Sequence, residues 1–316
     1  MTTLYYHHAD FLQHDTGPGH PESPARLTAI AQALSTTEFA ALHRIEAEIP
    51  PDVEDKLALI HNPAMINRVL TGIPEHGLSY FDADTVASSG SKSAALRAVG
   101  AVCDAVDKIL AGQADNAFCA VRPPGHHAMP NYPMGFCLFN NIAIAAEYAR
   151  TRYNLERIAI VDFDVHHGNG TQAAFYQQAQ VLYASSHQWP HYPGSGHPLE
   201  SGVGNIFNVP LPAGSDGIAF RAKYEDTILP ALSKFKPQLL LISAGFDAHK
   251  DDPLASLNLV EDDFRWVTLR LIDIADRFCS GRIVSTLEGG YHLPALAASV
   301  AAHVGCLAGS KDESGP

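Results

Sequence analysis

The sequence predicts an α/β protein built on one mostly parallel, doubly wound sheet with helices on both faces. Three observations carry this. Short apolar runs alternate with longer helix-like stretches almost from end to end, the order that repeated βαβ units produce. Two of those runs, residues 158–161 and, but for Ser243, 239–244, are continuously apolar, as strands covered on both faces are. The loops holding His, Asp, Gly and Tyr all follow strands, so they converge on the carboxyl rim, where open α/β sheets bind ligands. With no internal repeat and no linker, a single domain over residues 1–308 is expected, followed by a frayed tail at 309–316.

Taken in order, residues 4–6 read as a first strand, and a breaker-rich polar loop at 15–22 leads to a helix over 24–34. Ser23 is the expected N-cap, with Pro24 at the first helical position. Residues 89–110, rich in Ala, Val and Leu, suit a long helix, and 117–121 a short buried strand running into Arg122-Pro123-Pro124-Gly125-His126-His127. A helix over 141–152 precedes the strand at 158–161, its turn at Gly168 and Gly170, and a further helix. Strands follow at 181–184 and 206–211, separated by a Gly, Pro and His loop over 187–204. A helix over 217–235 then leads to the strand at 239–244 and Gly245-Phe246-Asp247. A helix over 261–278, a strand over 282–287 ending at Glu288-Gly289-Gly290-Tyr291, and a last helix over 294–307 complete the pattern.

Composition narrows the function. Hydrophobic residues make up 46% and charged residues 17%, a globular balance. The net charge of -13 argues against a protein that tracks nucleic-acid phosphates, and it suits cationic substrates. Five widely spaced cysteines with no CxxC pair predict reduced thiols. With no signal-peptide pattern and no apolar run near the roughly 20 residues of a membrane span, the expectation is a cytoplasmic protein.

The chemistry concentrates after residue 161. In an extended segment Asp162, Asp164 and His166 share one side while Phe163 and Val165 take the other, which proposes a metal site at a strand end. Asp164, His166 and Asp247 supply two carboxylates and an imidazole, a set that leaves a position open for water and substrate, as catalytic sites do. Zinc is the first expectation, and the same donors admit iron or cobalt. His126 and His127, fixed by the preceding Pro-Pro-Gly turn, offer a general base and an electrostatic partner that Asp162 orients. Tyr291, lifted on Gly289-Gly290, can donate to a developing oxyanion. A second metal would need further carboxylates close to this set, and Gly168 and His249, two residues beyond His166 and Asp247, supply none, so one catalytic metal is expected.

Arg122-Pro123-Pro124-Gly125-His126-His127-Ala128, the run from Asp162 to Gln172, Ser243-Ala244-Gly245-Phe246-Asp247 and Glu288-Gly289-Gly290-Tyr291 resemble the signature blocks of the histone deacetylase and acetylpolyamine amidohydrolase superfamily. The resemblance extends from His20-Pro21-Glu22 with Arg26 to Tyr291, with the blocks in family order. It implies the three-layer arginase-deacetylase fold and zinc-dependent hydrolysis of an acetyl amide on a cationic amine. By position it implies Asp164, His166 and Asp247 as zinc ligands, His127 as general base and acid, His126 paired with Asp162, and Tyr291 as oxyanion donor. It also implies a structural potassium site using Asp162, the Ser185 hydroxyl and backbone oxygens of Asp164, His166 and Ser186. Gly135 and Phe136, with Tyr192, match the walls of an acetyl-lysine tunnel, and Gly289 and Leu254 complete the substrate contacts.

Asn169 stands where class I enzymes carry an acid beside the second histidine and is similar to the class II pattern, which should leave His127 less readily protonated. Tyr291 is present where weakly active class IIa enzymes carry histidine, so real deacetylase activity is expected. Leu254 aligns with the leucine of class II lysine deacetylases, where the specialised polyamine deacetylase has an acid. The resemblance therefore points to acetyl-lysine in peptides or proteins, with acetylated polyamines as the alternative substrate and a non-catalytic acetyl-amine binder as the rival of another class. No nucleic-acid or membrane partner is expected, and the oligomeric state is open.

Overall fold

The computed structural model describes residues 1–309; the expected frayed tail lies, but for Gly309, outside the described residues. Eight strands form one sheet in the order β2-β1-β5-β10-β9-β6-β7-β8, and every neighbouring pair is parallel. In chain order the strands are β1 (Thr3–His7), β2 (His43–Glu46), β3 (Leu78–Tyr80), β4 (Val86–Ser88), β5 (Asn116–Cys119), β6 (Ile158–Asp162), β7 (Val181–Gln188), β8 (Ile206–Leu211), β9 (Leu239–Ala244) and β10 (Ile283–Leu287). Strands β3 and β4 form a separate antiparallel pair.

The helices are α1 (Ala25–Ala33), α2 (Val53–Leu57), α3 (Pro63–Gly72), α4 (Ser91–Leu110), α5 (Asn141–Tyr153), α6 (Asn169–Phe175), α7 (Gly217–Lys223), α8 (Leu229–Phe235), α9 (Glu261–Cys279) and α10 (Leu293–Leu307). They surround the sheet as two packed groups, α4 with α5 and α10 with both α1 and α9. Every residue of β5, β6, β7, β9 and β10 is buried, which is why β6, β9 and the first half of β7 read as apolar runs. The functional loops leave the carboxyl ends of β5, β10, β9 and β6, four adjacent strands at the sheet centre.

Local expectations needed three corrections. Ser23 does not cap α1 with its side chain; Pro24 takes the cap position, and the Ser23 backbone carbonyl accepts the Arg26 N–H. The helix expected over 217–235 contains a π-helical turn at Tyr224–Ile228. Pro230, at the start of α8, lacks the N–H that an uninterrupted α-helix would use, and the wider turn absorbs the break. Strand β6 stops at Asp162, so Asp162, Asp164 and His166 do not share one face of an extended chain. They lie on a tight turn in which Asp162 Oδ1 accepts the Asp164 N–H (3.2 Å) and Asp164 Oδ1 accepts the His166 N–H (2.9 Å).

Candidate metal and catalytic site

The turn after β6 and the loop after β9 place the proposed ligands together. One ligand atom from each of Asp164, His166 and Asp247 lies within 4.8 Å of the others, and all three residues are buried. His166 Nδ1 is 3.1 Å from both Asp164 Oδ1 and Asp247 Oδ2. The backbone fixes the carboxylates as well: the Gly289 N–H donates to Asp164 Oδ2 (2.7 Å) and the Val165 N–H to Asp247 Oδ1 (2.9 Å). Burial, followed by the charge of Asp164, pushes the Asp247 carboxyl up to about 7. Two buried carboxylates facing one imidazole form a donor set that a divalent cation neutralises, so these residues fit a metal ion.

Beside this cluster stand the paired histidines on the loop after β5. His126 Nδ1 meets Asp162 Oδ2 at 3.0 Å, and that same carboxylate oxygen accepts the Tyr183 hydroxyl at 2.9 Å. Burial opposes charging of His126, but Asp162, Asp164 and Glu288 outweigh it and push the imidazole up to about 10. His127 behaves oppositely. Burial and the neighbouring His126 and His166 hold it well below the ordinary imidazole value, and its Nδ1 pairs with Asn169 Oδ1 at 2.8 Å. The two rings lie 4.0 Å apart between centroids, so one environment separates a charged histidine from a neutral one.

A cavity of about 190 Å³ opens onto these groups, lined by His126, His127 and His166 at its base and by Tyr291 and Gly289 at its side. Its walls include Gly135, Phe136, Tyr192 and Leu254, all singled out from the sequence. The Tyr192 ring stands edge-on to His127 (5.2 Å), and Phe136 edge-on to Tyr291 (5.8 Å). Gly135 has φ +57°, and a Cβ there would lie 2.6 Å from His127 Cδ2, so this wall needs glycine. A Cβ on Gly289 would meet Asp247 Oδ2 at 2.0 Å, which makes that glycine a spacer for the ligand cluster as well as a lining residue.

Residues assigned to the cation site also sit together. The β6–β7 register pairs Asp162 with Ser185, next to Ser186. Ser185 Oγ lies 2.9 Å from His187 Nδ1 and Ser186 Oγ 3.1 Å from the Tyr224 hydroxyl. His167 stays out of the cluster, bonding Ser195 Oγ (2.8 Å) and Gln172 Oε1 (3.0 Å). Through Ser195 it fastens the 187–204 loop, which brings His191 and Tyr192 to the cavity wall.

Several participants were not assigned roles from the sequence. Glu288 Oε2 accepts the N–H groups of Gly125 (2.7 Å) and His126 (3.1 Å), anchoring the histidine turn from β10. Asp252 Oδ2 accepts the Tyr291 N–H at 2.7 Å, while its Oδ1 accepts the Leu254 N–H at 3.0 Å, so one carboxylate holds both sides of the cavity. The Arg26 guanidinium lies over the Tyr291 ring at 5.0 Å and donates to the Gly290 carbonyl at 2.7 Å. Pro124, His191 and Asp84 complete the lining. Acids of this kind look like ordinary loop carboxylates until burial is known.

A histone deacetylase domain matches residues 20–307. The chain belongs to the histone deacetylase family. Among similar proteins, an uncharacterized protein of Synechocystis sp. is 46% identical over 303 residues, covering 95% of this chain and 97% of that one. A histone deacetylase-like amidohydrolase of Pseudomonas aeruginosa is 39% identical, over 89% of this chain and 75% of the relative. Histone deacetylase 10, chloroplastic, of Oryza sativa subsp. japonica is 40% identical, over 89% and 68%. The crystal structure of the HDA15 HD domain superposes with a TM-score of 0.91 at 36% identity, covering 98% of this chain and 89% of that one. The parallel eight-stranded sheet is thus that of the arginase-deacetylase fold.

Proposed function

We propose that this deacetylase-family protein is a zinc-dependent amidohydrolase that removes the acetyl group from acetyl-lysine in peptides or proteins. The observation carrying the proposal is convergence. Loops after β5, β6 and β10 bring His126, His127, His166 and Tyr291 to one cavity, beside the Asp164–His166–Asp247 cluster that the loop after β9 completes. Zinc held by those three residues would polarise the acetyl carbonyl and lower the pKa of a water. His127, neutral at rest, takes the proton of the attacking water and later delivers it to the leaving amine, so that acetate and a free amine result. His126, held by Asp162, keeps positive charge beside the reacting centre, and the Tyr291 hydroxyl donates to the oxyanion. Phe136 and Tyr192 flank the aliphatic stem of the substrate, and Leu254 presents an apolar rim.

Asp162, Ser185 and Ser186 are proposed to hold a structural potassium ion behind the site, and residues 1–308 to form one catalytic domain. No disulfide joins any of the five cysteines, and all are buried, in keeping with a reducing compartment, for which we propose the cytoplasm. Among the described residues no helix is long and apolar enough to cross a membrane.

One observation favours acetylated polyamines instead. Asp84 puts a carboxylate in the cavity lining, where a distal ammonium would find it. Side-by-side kcat/KM values for an acetyl-lysine peptide and acetylputrescine on zinc-loaded protein test the reading. The expected preference is at least about tenfold for the peptide. The reverse preference gives the polyamine assignment, and no turnover of either substrate with metal bound sinks the enzyme reading.

A further inference from the structure

Asn169 joins His127 to two sulfur atoms. Its Oδ1 meets His127 Nδ1 at 2.8 Å, and its Nδ2 donates to both Met129 Sδ and Met134 Sδ at 3.2 Å. A thioether sulfur accepts and has nothing to donate. If the amide were turned over, Oδ1 would face two acceptors and Nδ2 would face the imidazole. The sulfur pair therefore dictates which end of the amide looks at His127. An oxygen there requires a proton on Nδ1, and a neutral ring with its proton on Nδ1 carries its free lone pair on Nε2.

We propose that Met129 and Met134 are positioning residues for the deacetylase reaction: their sulfurs orient the Asn169 amide, and that amide fixes His127 as the Nδ1–H tautomer with Nε2 free to act as base. A carboxylate at position 169 would need no such guides, because both its ends accept. Asparagine has two unlike ends, and the sulfurs select between them. Met129 is carried on the loop after His127, and Met134 lies beside the Gly135 spacer, so both sulfurs belong to the segment that builds the cavity wall.

The inference rests on the deacetylase reading, and its test separates the two. The double variant Met129→Leu/Met134→Leu preserves volume while removing both sulfurs. It is compared with the parent chain in the Asn169 background and again in the Asn169→Asp background, using zinc-loaded protein and an acetyl-lysine peptide. With Asn169 present, kcat is expected to fall about tenfold with KM nearly unchanged. With Asn169→Asp, the same leucines should change kcat less than about twofold, since the carboxylate cannot be misoriented. Equal losses in both backgrounds would mean that the methionines only pack, and no loss with Asn169 would overturn the proposal outright.

Nitrogen-15 spectra of the histidine rings, with His127 assigned by difference against His127→Ala, supply a readout that needs no turnover. The parent chain should show a single Nδ1–H tautomer and the leucine variant a mixture of two. An unchanged tautomer in the variant refutes the proposal, whereas failure of the parent chain to hydrolyse any acetyl amide refutes the deacetylase reading and leaves the spectra to decide the role of the sulfurs. Should the double variant not fold, Met129→Leu and Met134→Leu made singly carry the same test, each with a smaller expected mixture.

Discussion

Tyr291 reaches the cavity from a glycine pair, with its backbone N–H held by Asp252 and its ring covered by Arg26. The phenol is therefore fixed in place, and in the proposed mechanism its removal would cost transition-state stabilisation more than binding. Tyr291→Phe is expected to lower kcat by about 10²–10³ with little change in KM, as loss of one oxyanion donor does. Asp247→Ala should reduce bound metal, measured by elemental analysis, from about one ion per chain to none and abolish turnover, because only two of the three proposed ligands would remain. These residues were legible in the sequence because their types are rare at strand ends and occur there four times over. Glu288 and Asp252 were not, since their importance lies in being buried under backbone N–H groups, a circumstance that residue identity does not reveal. The sequence pattern also misplaced Asp162, Asp164 and His166 on a common strand face. Period-2 reasoning fails once the chain turns, and here it turns directly after Asp162.

At the scale of elements, a buried ion cluster fastens the active-site loops to the first helix. Arg122, at the start of the loop after β5, donates to Glu22 Oε1 (2.5 Å) and Oε2 (2.8 Å), and Arg26 of α1 donates to Glu22 Oε1 (3.1 Å) and to the Glu288 carbonyl (2.5 Å). None of these three side chains is exposed. Burial alone would raise the Glu22 carboxyl, but Arg122 and its other partners hold it well below the usual range. Glu22→Ala leaves two buried guanidinium groups without their carboxylate, and urea melts should show a loss of about 3–5 kcal/mol. The helix and strand ends follow the same rule of visibility. Strands β8 and β9 fall on the residues expected, since buried apolar runs have sharp edges. Strand β2 is charged and largely exposed at the sheet edge, and β3 is three residues long, so neither leaves an apolar signal. The strand β7 runs on to Gln188 through Ser185, Ser186 and His187, whose polar side chains disguise a fully buried segment.

The whole molecule buries neutral histidines, and that makes its stability depend on acid. His303 lies at the junction of α9, β10 and α10, with Nδ1 2.7 Å from Thr268 Oγ1 and Nε2 2.9 Å from Ser285 Oγ. Burial lowers its pKa from 6.5 to about 3. His61 accepts the Asn140 N–H at its Nε2 (2.9 Å) and is lowered to about 4, burial outweighing the bond to the Met129 carbonyl. In the unfolded chain both rings take up a proton near pH 6.5, while in the folded chain they do not until pH 4 or 3. Between those limits the unfolded state binds more protons, so stability is fully present above about pH 6.5 and falls as the pH drops toward the folded values. Each ring contributes a loss of about 2 kcal/mol between pH 7.5 and 5. The net charge of -13 works in the opposite direction, since net proton uptake over the same range relieves self-repulsion. Comparison with a variant removes that common background. His303→Gln keeps a hydrogen-bonding side chain but cannot titrate, so its urea-derived stability should decline less between pH 7.5 and 5 than that of the parent chain, by about 2 kcal/mol. Parallel pH profiles for the two proteins would show that His303 takes up its proton over the same pH range in the fold as in the unfolded chain, contrary to the burial that surrounds it.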